Sequence, residues 1–236
     1  GYFYTTVRFG DQEFGVIIDT GSHRTVVPCN TCSRCGHHLH SRYSYKHIVH
    51  CKDPECSQHC YSDKCSFSIS YLEGSKLSGF SVKDSFYLGT NLVNENYVFG
   101  CANVMTNMFR SQQADGILGL NKKALHYITP HNKKVTINLS KHLLTIGEDF
   151  QQRMQFFVPL QHSDNYYATL QQVQYGTNSM IVKERVLFDS GSTYSYVTSS
   201  FFSNVKRIIE RQCHCNLHIY RSTLCFPKHI KRLPFH

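Results

Sequence analysis

The chain has 236 residues, 41% of them apolar, with 25 Lys and Arg against 16 Asp and Glu and a formal charge of +9. That is enough apolar chain to bury the core of one or two domains. The charge raises nucleic acid as a partner, but Lys122-Lys123, Lys133-Lys134 and the stretch from Lys228 to Arg232 are scattered and lack an interleaved aromatic pattern, so nucleic-acid binding is set aside.

No apolar run approaches the roughly 18 residues that span a bilayer, and no charged start leads into an apolar signal segment. Because the chain opens at Gly1 without Met, any signal or membrane anchor is expected in segments outside it. Eleven cysteines point to an oxidising compartment and disulfides rather than cytosolic thiols.

In chain order, Tyr2 to Phe9 alternates as a strand, and Asp11-Gln12 turns it into a second strand, Phe14-Gly15-Val16-Ile17-Ile18, which ends in Asp19-Thr20-Gly21-Ser22. Thr25-Val26-Val27 stays extended until Pro28. A polar segment follows with Cys29, Cys32, Cys35, Cys51, Cys56, Cys60 and Cys65, joined later by Cys101: an even number that can pair fully among itself, in a connectivity that spacing leaves open. Histidines 37, 38, 40, 47, 50 and 59 lie among them and are expected to be mostly solvated. Cys29-x2-Cys32-x2-Cys35 beside histidines must be weighed as zinc ligation, but it lacks a second Cys-x2-Cys knuckle at the usual spacing. A disulfide-stapled loop with no metal is the preferred reading, and no cofactor is expected.

Cys65 to Tyr71 alternates, Glu73 to Ser78 turns on Gly74, and Gly79 to Leu88 returns, a hairpin. Tyr97-Val98-Phe99-Gly100-Cys101 reads as a strand, Asp115-Gly116-Ile117-Leu118-Gly119-Leu120 as another, and the basic stretch from Asn121 to Lys134 as a loop. Asn138-Leu139-Ser140 is a glycosylation sequon, a weak signal. Leu143 to Gly147 is strand-like, as are Phe156 to Leu160 and Tyr166 to Val173. Then Arg185-Val186-Leu187-Phe188 runs into Asp189-Ser190-Gly191-Ser192, the first motif restated. From Ser199 to Ile209 the apolar residues 201, 202, 205, 208 and 209 make one helical face. Cys213, Cys215 and Cys225 remain, an odd set, so one of them needs a partner outside the chain or stays a thiol.

Two buried-strand runs ending in the same Asp-Thr/Ser-Gly-Ser suggest two similar lobes that each contribute a carboxylate to one site. Carboxylates held together cannot both ionise easily, so they share a proton. One then acts as base on a trapped water while the other polarises a scissile carbonyl. Gly21 and Gly191 allow backbone N–H groups to approach the acids, and the hydroxyls of Thr20, Ser22, Ser190 and Ser192 can orient them.

This constellation resembles the pepsin-like aspartic proteases. Tyr71-Leu72-Glu73-Gly74-Ser75 with Gly79 is similar to the family's flap, and Asp115 to Leu120 to its ψ-loop segment. The cysteine-rich insert after Pro28 narrows the resemblance to the plasmepsin V group, processing proteases of the secretory pathway in intracellular parasites. The resemblance implies a mostly β, two-lobed fold. Residues 1–147 would be an N-terminal lobe with Asp19, the insert (29–65) and the flap (66–88), and 148–236 a partial C-terminal lobe with Asp189. A complete relative would continue with the second lobe's own counterpart of Ile117 to Gly119, so the chain is expected to be either truncated at its C-terminal end or a degenerate fragment whose second lobe cannot hold Asp189 rigidly.

The resemblance further implies an endopeptidase with the dyad Asp19 and Asp189, Tyr71 over it as flap residue, and Glu73 and Gln112 holding a substrate arginine beside Gly74. The thiol that follows the flap tyrosine in the cysteine-equipped relatives is here Leu72, and the tryptophan that many pepsins place after the first motif is missing. Polypeptide substrates, a monomer and a reticulum or other secretory lumen are expected. The alternatives are a catalytically inactive, protease-like peptide-binding protein and a zinc-stabilised Cys/His interaction module.

Overall fold

The fold is a computed structural model that describes residues 2–56, 59–71, 73–129, 134–138, 141, 143–146, 157–175, 178–213, 216–220 and 223–225, the side chains at 175, 178, 212, 213, 223 and 224 excepted. The elements in order are β1 (Tyr4–Phe9), β2 (Gln12–Asp19), β3 (Val26–Pro28), β4 (His47–Ile48), β5 (Cys60–Tyr61), β6 (Lys64–Ser70), β7 (Lys76–Leu88), β8 (Asn91–Met105), α1 (Met108–Ser111), β9 (Gly116–Gly119), α2 (Lys122–Ile128), β10 (Val135–Asn138), β11 (Leu143–Ile146), β12 (Tyr167–Tyr175), β13 (Asn178–Leu187), α3 (Ser199–Cys213), β14 (His218–Tyr220) and β15 (Thr223–Cys225). The architecture is mostly β, as the motifs implied. The chain divides into two compact units: Gly1–Val158, His162–Tyr166 and Leu187–Thr193 in the first, and Pro159–Gln161, Tyr167–Val186 and Tyr194–His236 in the second.

In the first unit the principal sheet runs β1-β2-β9-β3-β8-β7-β6-β5, with β4 on β7 and β1 also on β7. The alternation of β1 buries Val7 and Phe9, whereas β2 is buried over its last six residues. A continuous apolar run is what a strand covered on both faces requires. β2 lies between antiparallel β1 and parallel β9, and the parallel register sets Val16 against Gly116 and Asp19 against Gly119. Beneath the sheet Phe9 is stacked on Phe99 at 4.2 Å and on Phe86 at 5.4 Å, with Tyr43 edge-on to Phe14 and Phe99. These rings supply much of the apolar area that holds the strands together.

The insert is fastened by Cys29–Cys101, Cys32–Cys35, Cys51–Cys60 and Cys56–Cys65. The seven sulfurs of the insert and that of Cys101 are therefore consumed, which leaves Cys29, Cys32 and Cys35 without a thiolate to offer zinc. His37, His47, His50 and His59 are exposed, but His38 and His40 are half-buried and bonded, which corrects the expectation of solvated histidines for those two. The pairing of Cys213, Cys215 and Cys225 lies outside what is described. So do Leu72, the turn at Gly176, the sequon residues 139 and 140, and the boundary expected at 147/148.

Three further differences have local causes. The loop expected from Asn121 to Lys134 contains α2: Ala124, Leu125 and Ile128 share one buried face, and the Asn121 side chain caps the helix by accepting from Ala124 N–H. The flap turn is tighter than expected, with Tyr71 N–H bonded to Ser75 O and β7 starting at Lys76. Phe157 to Leu160 forms no strand and is exposed, so its apolar content signals no pairing.

In the second unit β12 and β13 pair as a hairpin, with Arg185 over the Tyr167 ring. α3 begins after Thr198, which accepts from the N–H groups of Phe201 and Phe202 through Oγ1 and its carbonyl. The helix buries Ile209 and pairs Lys206 with Glu210 one turn on. The β14–β15 hairpin was not anticipated.

Candidate active site

β2 delivers Asp19 at its last residue. The turn beyond it is pinned from β9 and α2, since Leu120 N–H donates to Asp19 O at 2.8 Å and Asn121 N–H to Ser22 O at 3.1 Å. Asp189 comes just beyond β13, where Phe188 N–H bonds Tyr166 O, and the Tyr166 hydroxyl donates to Leu120 O at 2.8 Å. Both acids belong to the first unit.

The two motifs interlock by a reciprocal exchange. Thr20 Oγ1 donates to Phe188 O at 3.0 Å and accepts from Ser190 N–H at 2.9 Å. Ser190 Oγ donates to Ile18 O at 2.7 Å and accepts from Thr20 N–H at 3.1 Å. These hydroxyls therefore tie one motif to the other's backbone instead of orienting the carboxylates, as the sequence suggested. Removing either leaves a carbonyl and an N–H unmatched. Thr20→Val or Ser190→Ala is each expected to cost roughly 1–3 kcal/mol, and the double variant less than the sum, in a urea-unfolding cycle.

Each carboxylate also accepts from its own turn: Gly21 N–H to Asp19 Oδ1 at 2.9 Å, Gly191 N–H to Asp189 Oδ1 at 2.8 Å, and Ser192 Oγ to Asp189 Oδ2 at 2.7 Å. The glycines are dictated by close approach across the pair. A Cβ on Gly21 would stand 2.6 Å from Asp189 Cγ, and one on Gly191 would stand 2.5 Å from Asp19 Oδ1. The two carboxylates thus face each other over their glycines.

Burial pushes Asp19 up to about 6; the nearby Ser22 hydroxyl and Gly21 N–H oppose the shift, while the Asp189 charge adds to it. Ser22 Oγ is buried beside Asp19 without a partner in good hydrogen-bond geometry among the described residues, so it acts on Asp19 through proximity. The Tyr71 hydroxyl is buried and likewise unpaired among the described residues. Burial raises it, with further upward pushes from Asp19, Glu73 and Asp189. Its ring packs on Phe109 at 4.9 Å, where Ile17, Val26 and Ile117 form the adjoining core.

Gly74 closes the flap turn at φ +92° with its N–H on Tyr71 O, and Asn107 Nδ2 donates to Gly74 O. Glu73 is exposed in that turn. Gln112 ends α1; its side-chain amide donates to Ala114 O and its carbonyl meets His38 Nδ1 at 3.1 Å. No hydrogen bond joins Glu73 to Gln112 among the described residues. Sequence reasoning passed over Tyr166, Asn121, His38 and His40, whose signal is long-range contact rather than local pattern. No group of three or more metal-ligating side chains occurs among the described residues.

A strand ending in a buried aspartate, tied by paired hydroxyls to a second copy of the same turn, defines an aspartic-protease type of site. Residues 3–143 match the family described as xylanase inhibitor N-terminal, and the chain belongs to that family of pepsin-like aspartic protease domains. Among curated relatives, plasmepsin V of Plasmodium falciparum is 31% identical over 133 residues, 51% of this chain and 22% of the relative. An aspartic proteinase of Oryza sativa subsp. indica is 26% identical over 257 residues, 90% of this chain and 61% of the relative. Aspartic protease 5 of Toxoplasma gondii is 30% identical over 148 residues, 51% of this chain and 15% of the relative. The chain thus spans less than two thirds of the length of these relatives.

Proposed function

We propose that the chain is part of an aspartic endopeptidase that hydrolyses polypeptides with the pair Asp19 and Asp189. The observation that carries this reading is the reciprocal Thr20–Ser190 exchange with each glycine facing the opposite carboxylate, because it fixes two acids at a common point. Buried Asp19, at about 6, holds the shared proton and polarises the scissile carbonyl. Asp189, receiving Gly191 N–H and Ser192 Oγ, stays the acceptor that takes a proton from the attacking water. Tyr71 covers the pair and offers its unpaired hydroxyl to the peptide.

The substrates we propose are secretory-pathway proteins cleaved at a short arginine-containing motif in a reticulum or comparable lumen. The four disulfides support an oxidising compartment. Exposed Glu73 in the flap turn can accept two hydrogen bonds from a guanidinium. Gln112 can join it if its amide turns from Ala114. Glu73→Ala is expected to lower kcat/KM for arginine-bearing peptides by about 10- to 100-fold, with neutral peptides changed little. Equal losses on both would remove Glu73 from recognition.

Cleavage profiling of a peptide library by mass spectrometry, on the full natural protein, tests the whole reading. Cut peptides that vanish with Asp189→Ala support it. Peptides bound with unchanged affinity and left intact would instead establish a protease-like binding protein.

A further inference from the structure

Asp115 is fully buried at the entrance to β9, and a carboxylate so placed must be met by donors. Three reach it. Gly15 N–H donates to Oδ2 at 2.5 Å, His40 N–H to Oδ1 at 2.8 Å, and His40 Nδ1 lies 2.7 Å from Oδ2. A carboxylate only accepts, so Nδ1 carries the hydrogen. Asp115 N–H returns a bond to Gly15 O at 2.7 Å, and next to His40 Leu39 N–H bonds Gln113 O at 3.0 Å. The cysteine-rich insert therefore grips the chain where β2 and β9 begin to pair.

That ladder is short. Its register runs Val16–Gly116, Ile17–Ile117, Ile18–Leu118 and Asp19–Gly119, so the grip sits just before one end and Asp19 at the other, four residues or about 13 Å away. Four paired residues transmit a shift in Gly15 with little room to absorb it, because Ile17, Ile18, Ile117 and Leu118 are all buried in close-packed core. We infer that His40 is a positioning residue for Asp19, acting through Asp115 along the β2–β9 ladder. The insert then serves the dyad from behind, a role that its distance in sequence from both aspartates conceals. The inference rests on the proposed activity only for its kinetic arm.

The test compares the full natural protein with His40→Ala and His40→Asn; the asparagine Nδ2 can occupy the place of the imidazole Nδ1. Three quantities are read: amide exchange at Gly15, the Asp19 titration midpoint by carboxyl-carbon NMR, and kcat and KM on a cleaved peptide. In His40→Ala, Gly15 exchange is expected to quicken about 10-fold, kcat to fall about 10-fold with KM within about 2-fold, and the Asp19 midpoint to move; His40→Asn restores all three to within about 2-fold.

An unchanged Asp19 midpoint and unchanged kcat in His40→Ala overturn the inference, even where Gly15 exchange quickens, since the grip is then local. Failure of His40→Asn to restore them overturns it too. If the unaltered protein cuts no peptide, the proposed function has failed, and the Asp19 midpoint alone decides the role of His40. Should His40→Ala not fold, His40→Gln, which carries its donor one atom further out, takes its place under the same criteria.

Discussion

Asp19→Asn is expected to abolish peptide cleavage and, in the same protein, to raise stability at neutral pH. The first effect follows from losing the group that holds the shared proton, a loss on the order of 10²- to 10⁴-fold for a general acid or base. The second follows from burial. Asp19 rises from 3.8 to about 6 on folding, so between those values the folded chain binds a proton that the unfolded chain releases. The stabilising contribution is complete below about pH 4 and is lost as pH climbs through about 6.

At pH 7 the buried charge then costs on the order of 3 kcal/mol relative to acid conditions, from a shift of about two pKa units. Asparagine carries no charge, still offers Oδ1 to Gly21 N–H, and escapes that cost. Melting temperatures across pH 4–7 provide the check: variant and parent agree at pH 4, and the variant melts roughly 5–10 °C higher at pH 7. A gap independent of pH would show that Asp19 is not the strained group. A buried acid whose ionisation costs the fold stability is the expected signature of catalytic use, since perturbed acids gather where chemistry is done.

How much of this was legible in the residues differs by element. The ends of β2 and β13 were readable because an apolar run followed by Asp-Thr/Ser-Gly-Ser is a purely local pattern, although only the β2 run is buried and Phe188, ahead of the second motif, is exposed; the β6–β7 hairpin was readable from its alternation and turn. α2 was hidden by composition: Lys122, Lys123 and His126 occupy its outer face, and only the positions of Ala124, Leu125 and Ile128 betray the buried one. The function of Thr20 and Ser190 was half visible. Their hydroxyls were expected to act on the acids, and pairing across 170 residues, which no local pattern encodes, sends them to opposite backbones instead. The same holds for His40, which in the sequence is one histidine among six in a polar insert. Its importance comes from Asp115, 75 residues on.

The disulfides give a second prediction of large effect, since the four differ chiefly in the chain length each closes. Cys29–Cys101 spans 72 residues, Cys51–Cys60 and Cys56–Cys65 span 9 each, and Cys32–Cys35 spans 3. If restriction of the unfolded chain dominates, replacing both cysteines by alanine costs about 4 kcal/mol for the first, about 3 for each of the middle pair and about 2 for the last. Position reinforces this order for Cys29–Cys101. Both residues are fully buried, Cys29 N–H bonds Ala102 O, and the bridge crosses from the end of β3 to its parallel neighbour β8, the strands behind the Asp19 turn. Urea unfolding, followed by circular dichroism because the chain has no tryptophan, measures each double variant. The expected ranking follows the spans. A Cys32–Cys35 variant as costly as the Cys29–Cys101 one would instead mean that local packing of the buried Cys32 and Cys35 sulfurs against the cluster of Phe67, Met105 and Phe109 governs the insert, and that chain restriction is secondary.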